Sequence, residues 1–452
     1  MGKKAYLILI ATAVVCACFL QWQAADLNLE FSLLESSFVN TARLFRRPEF
    51  LPDFSVFRNR LSIEKSNWLE VNLEKKEVAI YKKDMPEKIV PILRWGDPME
   101  WGGTAAGLNE VIFKAKSNFS NTALVFMPWA VNFYGKYYLH GEPYDANGQK
   151  FISENSGGCV QMTDADAQAV YEESTKGIPV LVIDKSNDTF RYPRKKPAPM
   201  PKTAAKSYLV ADLDSGFVFA EKNIEEKLPV ASLTKLITAT TLSENAALNT
   251  SLSVKKHMLD AFGSTTGLTP GARFKVAELF YPLLVESSND AALVLSAYFG
   301  IDRTLELMND KTARIMMPDS RFVDPHGYDP GNVSTAKDLF YLARYVSNNW
   351  PLLWRIARGE EVRIFGKNRF LSLKNKNLFF DEPDFIGGKT GYIKASDYNG
   401  LFVFRFLTKR EVERRIVIII LGAPGLEEGE QNLKQETLAI IDWLKENYFN
   451  RP

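Results

Sequence analysis

Cysteine is scarce: the 452 residues include three, Cys16, Cys18 and Cys159. The first two lie inside an N-terminal apolar run, so the rest of the chain holds a single thiol and no intramolecular disulfide. Charge of either sign is not in excess. Fifty-six basic and fifty-four acidic side chains leave a formal charge of +2, which argues against a surface built to neutralise phosphates and makes nucleic acid a poor partner. No cysteine and histidine cluster has zinc spacing, and no glycine loop has the phosphate-cradling pattern, so no metal or cofactor is expected. Internal repeats are absent. A hydrophobic content of 46% with 24% charged residues excludes disorder, and the length is too great for one ordinary domain but suits two.

What is present begins at the N-terminus. Lys3 and Lys4 precede Ala5 to Leu20, a stretch without charge that matches the n-region and h-region of a secretory signal. The run is slightly short for a full span of about 20 residues, and cleavage near Ala24 and Ala25, retention as a membrane anchor and lipidation at Cys18 are its alternative fates. Export to the cell envelope is the expectation, with residues 1–25 as signal or anchor and 26–60 as a juxtamembrane segment. The scattered phenylalanines of that segment (Phe31, Phe38, Phe45, Phe50, Phe54, Phe57) have no clean period and no functional account.

Residues 193–206 carry four prolines among lysines and arginine, a composition that favours an extended, semi-rigid linker. Upstream, residues 61–192 show the alternation of strands: Leu69, Val71 and Leu73, then Val78 and Ile80, predict a hairpin, and Ile178 to Ile183 a short buried or edge strand. This first domain is expected to be mostly β. Downstream, in 207–452, Tyr208 to Leu213 and Phe217 to Ala220 flank the turn residues Asp214-Ser215-Gly216. Helices are predicted from Ser232 and over 289–299, 335–346 and 434–447, and strands over Leu401 to Phe406 and Ile416 to Leu421. The second domain is therefore α+β.

The lone thiol sits in Ser156-Gly157-Gly158-Cys159-Val160-Gln161, nineteen residues after His140-Gly141. A thiolate is a strong nucleophile, an imidazole can hold its proton, and flanking glycines let backbone N–H groups approach a developing oxyanion. This arrangement closely resembles the L,D-transpeptidase catalytic motif, and Gly102-Gly103-Thr104-Ala105-Ala106-Gly107 followed by Lys114 resembles that family's upstream glycine segment. The resemblance implies Cys159 as nucleophile, His140 as its base, and Ser156 and Gly158 as frame and oxyanion site. Gly157 departs from the motif's usual histidine, and Gln161 from its usual basic residue or asparagine, which bears on recognition of a substrate carboxylate.

A second constellation has three separated parts. Ser232-Leu233-Thr234-Lys235 spaces a hydroxyl and an amine to share one helix face, and a lysine kept neutral can take the serine proton. Ser287-Ser288-Asn289 offers a second hydroxyl and an amide. Lys389-Thr390-Gly391 offers a charge and a hydroxyl for a carboxylate, and a glycine that admits a substrate backbone beside a strand. Together with Asp324-Pro325-His326-Gly327 and the flanking residues, these boxes resemble the D-alanyl-D-alanine carboxypeptidases among the penicillin-recognising serine acyltransferases. The resemblance implies that Ser232 is acylated, Lys235 is the base, Ser287 and Asn289 complete the relay, and Lys389 and Thr390 bind the terminal carboxylate, with the N–H groups of Ser232 and Tyr392 as the oxyanion hole. Ser288 departs from the usual glycine. Between Ser287 and Arg358 the sole glutamate is Glu306, in a helical segment, which disfavours a class A β-lactamase. His326 and His257 read as structural.

The expected architecture is thus an L,D-transpeptidase-like, mostly β domain followed by an α+β penicillin-binding domain. The implied function is bifunctional: serine D,D-carboxypeptidase trimming of stem pentapeptides, then cysteine L,D-transpeptidase cross-linking of the tetrapeptides. The implied partners are peptidoglycan stem peptides, with β-lactams as covalent inhibitors. The alternative leaves the serine site active and makes the first domain a peptidoglycan-binding module, or an enzyme that attaches wall peptides to a protein.

Overall fold

The computed structural model describes residues 54–449 apart from short interior stretches (122, 152–155, 187, 189, 193–196, 260–261, 264–266, 371 and 426–427). The N-terminal signal or anchor, and most of the segment 26–60, lie outside the described residues. No helix among the described residues is long and apolar enough to cross a membrane.

Two sheets form the first domain. One has the order β3-β2-β1-β9-β4, from Met85–Pro91, Glu77–Lys82, Trp68–Asn72, Pro179–Ile183 and Gly107–Glu110. The predicted hairpin is β1 paired with β2, pinned by stacking of Trp68 on Tyr81 with ring centroids 4.1 Å apart. β9 is internal, parallel to β1 and antiparallel to β4, and Pro179 is tolerated because it opens the strand. The other sheet runs β5-β6-β7-β8, from Phe113–Ser120, Val125–Tyr134, Tyr137–His140 and Val160–Gln161. Its inner face buries Val131, Leu139 and Val160 completely. Helix α2 (Asp164–Glu173) packs on this sheet; Thr163 caps it and Asp164 and Asp166 complement its first turn. Helix α1 (Ser55–Ile63) gives Phe54 and Phe57 a packing role, since both join Leu61 in the core while Arg58 forks onto Glu70 through two 2.7 Å hydrogen bonds.

The second domain is built on the sheet β11-β10-β14-β13-β12 (Val218–Lys222, Ser207–Asp212, Glu413–Ala423, Asp397–Leu407, Phe385–Ile393). The isoleucine run of β14 is central and buried on both faces, as a continuous apolar strand requires. The predicted hairpin matches β10 and β11 to within one residue at the turn, where Leu213 and Phe217 lie just outside, and the predicted C-terminal strands fall inside β13 and β14. Helices α3 (Thr234–Asn245), α4 (Val276–Leu284), α5 (Asn289–Ser296), α6 (Ile301–Arg314), α7 (Ala336–Asn349) and α8 (Pro351–Arg358) pack as a group at one side, and α9 (Gly429–Leu444) lies against β13 and β14.

The linker is not a free tether. The N–H of Ala198 bonds Asn447, the Trp443 indole bonds the Ala198 carbonyl, and Thr203 and Ala204 bond Glu436, so its described part is laid along the C-terminal helix. The relative placement of the domains is set by packing, because one contiguous apolar core includes residues of both. The first domain sits on the C-terminal ends of three helices. A Cβ at Gly103 would lie 2.0 Å from the Asn349 carbonyl oxygen of α7, and one at Gly107 2.2 Å from the Arg314 carbonyl oxygen of α6. At the end of α3, Lys136 Nζ donates to the carbonyls of Ser243 (3.1 Å) and Ala246 (3.2 Å), placing a cation at a helix's negative end. Beneath this contact the fully buried pair Lys311–Glu244 (2.9 Å) is closed by the Trp350 indole and the Tyr345 hydroxyl, with Tyr134 of the first domain facing the ammonium.

Candidate active sites

The serine constellation converges on one buried amine. Ser232 lies in a single 3₁₀ turn, Ala231–Leu233, that feeds directly into α3. Ala231 adopts φ 48°, a left-handed conformation costly for a residue with a Cβ, and the turn is held in place from two sides. A Cβ at Gly327 would sit 1.9 Å from the Ala231 carbonyl oxygen, and one at Gly391 2.8 Å from the Ser232 backbone nitrogen. The glycine of the third box is therefore needed first against the enzyme's own backbone, where a side chain would cover the Ser232 N–H.

Lys235, on the first turn of α3, is completely buried. Its Nζ lies 2.8 Å from Ser232 Oγ, 2.7 Å from Asn289 Oδ1 and 2.6 Å from the His326 carbonyl oxygen. Burial, reinforced by the nearby charge of Lys389, holds its pKa well below the usual lysine value. A neutral amine fits the three partners: two N–H groups donate to Asn289 and His326, and the lone pair faces the serine hydroxyl. Asn289 opens α5 and its amide donates to the Phe262 carbonyl. Ser287 is buried at φ 61°, and Ser288 N-caps α5 by accepting from the Ala291 N–H at 3.1 Å, which gives this departure from the motif a helix-capping role.

Lys389 and Thr390 lie on β12, an edge strand of the large sheet. Lys389 is buried and donates to the Thr390 carbonyl at 2.7 Å; burial, with the charge of Lys376 adding to it, lowers its pKa to about 7. Thr390 Oγ1 bonds the Lys376 carbonyl, and Tyr392 is exposed and stacked on Tyr398. Sequence reasoning did not assign the His326 carbonyl. Its signal was the Asp324-Pro325-His326-Gly327 box, whose carboxylate accepts the N–H groups of His326, Gly327 and Asp329 and so aims that carbonyl at Lys235.

The cysteine constellation is also assembled. Leu139 pairs with Val160 and His140 with Gln161 in the parallel β7–β8 ladder. Side-chain alternation then puts Tyr138, His140, Cys159 and Gln161 on one face, opposite the apolar face. Gly157 and Gly158 adopt φ 66° and 107°, and Ser156 Oγ closes the turn onto the Cys159 carbonyl. A Cβ at Gly158 would collide with the Tyr137 ring at 2.3 Å and lie 2.9 Å from the Gly103 carbonyl oxygen. The upstream glycine segment is thus the surface on which the cysteine turn rests. Lys114, by contrast, lies away from the thiol and donates to the Tyr171 carbonyl at 2.6 Å, near the end of α2.

Cys159 is buried, and its thiol donates to the Lys136 carbonyl at 3.7 Å. Burial pushes the thiol pKa up to about 11, against the opposing pull of a Tyr138 backbone hydrogen bond and the Lys136 charge. His140 is driven down to about 4, chiefly by burial, and its Nδ1 lies 2.6 Å from the Gly141 carbonyl oxygen. The neutral ring with Nδ1–H donating leaves Nε2 as the basic nitrogen. Lys136 was not legible as a functional residue: it joins the thiol, through its carbonyl, to the end of α3, through its ammonium.

Comparison with known proteins matches the D-alanyl-D-alanine carboxypeptidase family profile to residues 194–425, slightly more than half of the chain, and the L,D-transpeptidase catalytic domain profile to residues 66–182. A D-alanyl-D-alanine endopeptidase of Haemophilus influenzae is 34% identical over 205 residues, spanning 44% of this chain and 70% of that protein. A D-alanyl-D-alanine carboxypeptidase of Mycobacterium tuberculosis is 29% identical over 250 residues, spanning 54% and 84%. Among solved structures, a D-alanyl-D-alanine carboxypeptidase from Mycobacterium tuberculosis aligns with a TM-score of 0.48 at 27% identity, covering 56% of this chain and 95% of that one.

Proposed function

Since the chain belongs to the D-alanyl-D-alanine carboxypeptidase family and carries an L,D-transpeptidase catalytic domain ahead of that region, we propose that it is a bifunctional peptidoglycan-modifying enzyme of the cell envelope. The observation that carries the serine half is the single buried amine of Lys235 shared by Ser232, Asn289 and the His326 carbonyl. Ser232 Oγ attacks the carbonyl of the penultimate D-alanine of a stem pentapeptide as Lys235 takes its proton. The C–N bond to the terminal D-alanine breaks, the proton passes to the leaving amine with Ser287 as relay, and water releases the tetrapeptide. Lys389 and Thr390 hold the terminal carboxylate, and the N–H groups of Ser232 and Tyr392 hold the oxyanion, over the space that Gly391 keeps clear.

The cysteine half takes the tetrapeptide as donor. His140 Nε2 removes the thiol proton, Cys159 attacks the carbonyl of the third stem residue, and the terminal D-alanine leaves. An amine from a neighbouring stem then displaces the sulfur to form the cross-link. In this step the thiol gives up its hydrogen bond to the Lys136 carbonyl. A role in the envelope is supported by the charged and apolar N-terminal sequence and by the wall chemistry of both parts.

The test is mass spectrometry of products after residues 26–452 meet disaccharide pentapeptide, alongside Cys159→Ala and Ser232→Ala. Loss of alanine that depends on Ser232, followed by dimers that depend on Cys159, is the expected result. Alanine loss with no Cys159-dependent dimer supports the reading in which the first domain binds wall peptides or attaches them to a protein. Because one relative is named an endopeptidase, cleavage of preformed cross-linked dimers by the Ser232 site is the second activity to assay.

A further inference from the structure

At the cysteine site Gln161 stands two residues after the nucleophile, where its motif usually has a basic residue or asparagine, and its neutral amide supplies no charge. The fold brings a cation to the same place from another segment. Arg94 pairs in antiparallel fashion with Gln161, with the Gln161 N–H donating to the Arg94 carbonyl at 2.8 Å and the Arg94 N–H to the Gln161 carbonyl at 3.3 Å. Paired residues on neighbouring strands share a face. Arg94, Gln161 and His140 therefore form one row across the sheet, and Cys159, two residues before Gln161, lies on that same face. Arg94 Nη1 reaches the Gln161 side-chain oxygen at 3.4 Å.

The guanidinium is half-buried, and no carboxylate lies within ion-pair distance of it among the described residues. Arg344, Arg414 and Arg415, which are comparably or more enclosed, each hold an aspartate, whereas the side-chain partner of Arg94 is the neutral Gln161 amide. A planar fork of donors left without an anion on the same sheet face as Cys159 suits a carboxylate ligand. We propose that Arg94 is the carboxylate-binding residue of the cysteine site, recognising the free C-terminal carboxylate of the acyl donor, with Gln161 as the residue that orients it. The proposal rests on the reading of Cys159 as an acylated nucleophile.

The test uses the full chain with Ser232→Ala, so that acylation of the serine is removed. The probes are a carbapenem with its free carboxylate and the same carbapenem as its methyl ester. Cys159 sulfur adds to the lactam carbonyl as the ring C–N bond opens, and the thiol proton passes through His140 to the lactam nitrogen, giving an adduct whose formation is followed by time-resolved mass spectrometry. Arg94→Gln is expected to slow acylation by the acid about ten- to a hundredfold, the worth of a hydrogen bond to a charged group, while the ester reacts at nearly the same rate as with Arg94 present. Arg94→Gln combined with Gln161→Arg is expected to regain most of the loss by restoring a guanidinium in the same row. Equal slowing of acid and ester by Arg94→Gln, or no slowing of either, overturns the proposal. An adduct that forms with normal charge dependence in neither variant nor parent, because Cys159 is never labelled, sinks the cysteine reading itself and the proposal with it.

Discussion

The two proposed nucleophiles of this chain rest in different states of readiness. Ser232 Oγ already lies against its proposed base, since Lys235 Nζ stands 2.8 Å away and is pushed toward neutrality by burial and by Lys389. Cys159 is turned to a backbone carbonyl, with its thiol held protonated by burial and the imidazole of His140, its proposed base, held neutral by the same cause. Both sites use close-packed glycines to bring backbone to the nucleophile, so the difference lies in charge. A serine needs a base in place because its hydroxyl is a weak nucleophile. A thiol is reactive enough that a buried, protonated resting state protects it from oxidants without abolishing attack once a substrate displaces the hydrogen bond.

The sharpest break of this comparison is at Lys235. Lys235→Met, which keeps the stem and removes the amine, is expected to lower D-alanine release from pentapeptide about a thousandfold or more, as does Ser232→Ala, because the two act as a unit. Cys159→Ala is expected to leave that release within about twofold. A Lys235→Met enzyme with near-normal release would show that another group takes the serine proton.

Next in size is the contact between the halves. Removing one member of a buried ion pair costs about 3–5 kcal/mol, and Lys311→Met leaves the Glu244 carboxylate without its cation, with the Trp350 indole and Tyr345 hydroxyl as its remaining partners. Calorimetry is expected to show one cooperative transition for the parent and a large drop in its midpoint for the variant. Two separate transitions in the parent would instead make the cysteine and serine halves independent folding units, and the shared core would then contribute little.

Much of both sites was legible because their chemistry is carried by side chains at short, fixed spacings. Ser232 and Lys235 are one helical turn apart, and Cys159 follows two glycines at the positive φ values of a turn. The fold was legible where periodicity is clean, as in β1, β2, β13 and β14. It was not legible in α4, which is buried on every side and contains Pro282, nor in α8, which begins at Pro351 and has only eight residues. What escaped within the sites is work done by backbone atoms or by charges brought from far away in sequence. The His326 carbonyl, the Lys136 carbonyl and ammonium, and Arg94 leave no local pattern. Nor did the proline-rich composition of the linker reveal that packing, and not tether length, places one half on the other.

A smaller effect separates the two sites by pH. Carboxylate binding favours protonated Lys389, whose pKa in the free enzyme is lowered to about 7. Substrate affinity is thus complete below that value and falls as pH rises through it, until the raised pKa of the bound state is passed. For D-alanine release, kcat/KM is expected to decline on the alkaline side about tenfold per pH unit, starting near neutrality. Lys389→Arg, which stays charged, is expected to carry that decline to higher pH. Carbapenem labelling of Cys159 lacks this lysine and is expected to show no such limb, and an identical alkaline decline at both sites would point to a shared group instead.

The smallest expected effect concerns Ser288, where the serine half departs from its family's glycine. The residue adopts φ −64° and ψ 125°, which any amino acid can take, so the backbone here does not require glycine. Its hydroxyl accepts the Ala291 N–H and begins the helix that holds Asn289 against Lys235. Ser288→Ala removes that acceptor and is expected to cost about 1 kcal/mol of stability, whereas Ser288→Gly, also a competent cap, is expected to cost a few tenths. Chemical denaturation can order the two. If alanine proves as well tolerated as glycine, the cap is dispensable and the hydroxyl has some other use; if the expected order holds and D-alanine release stays near normal in both, the departure from the motif is a helix start built into a catalytic loop and leaves the chemistry of Ser232 intact.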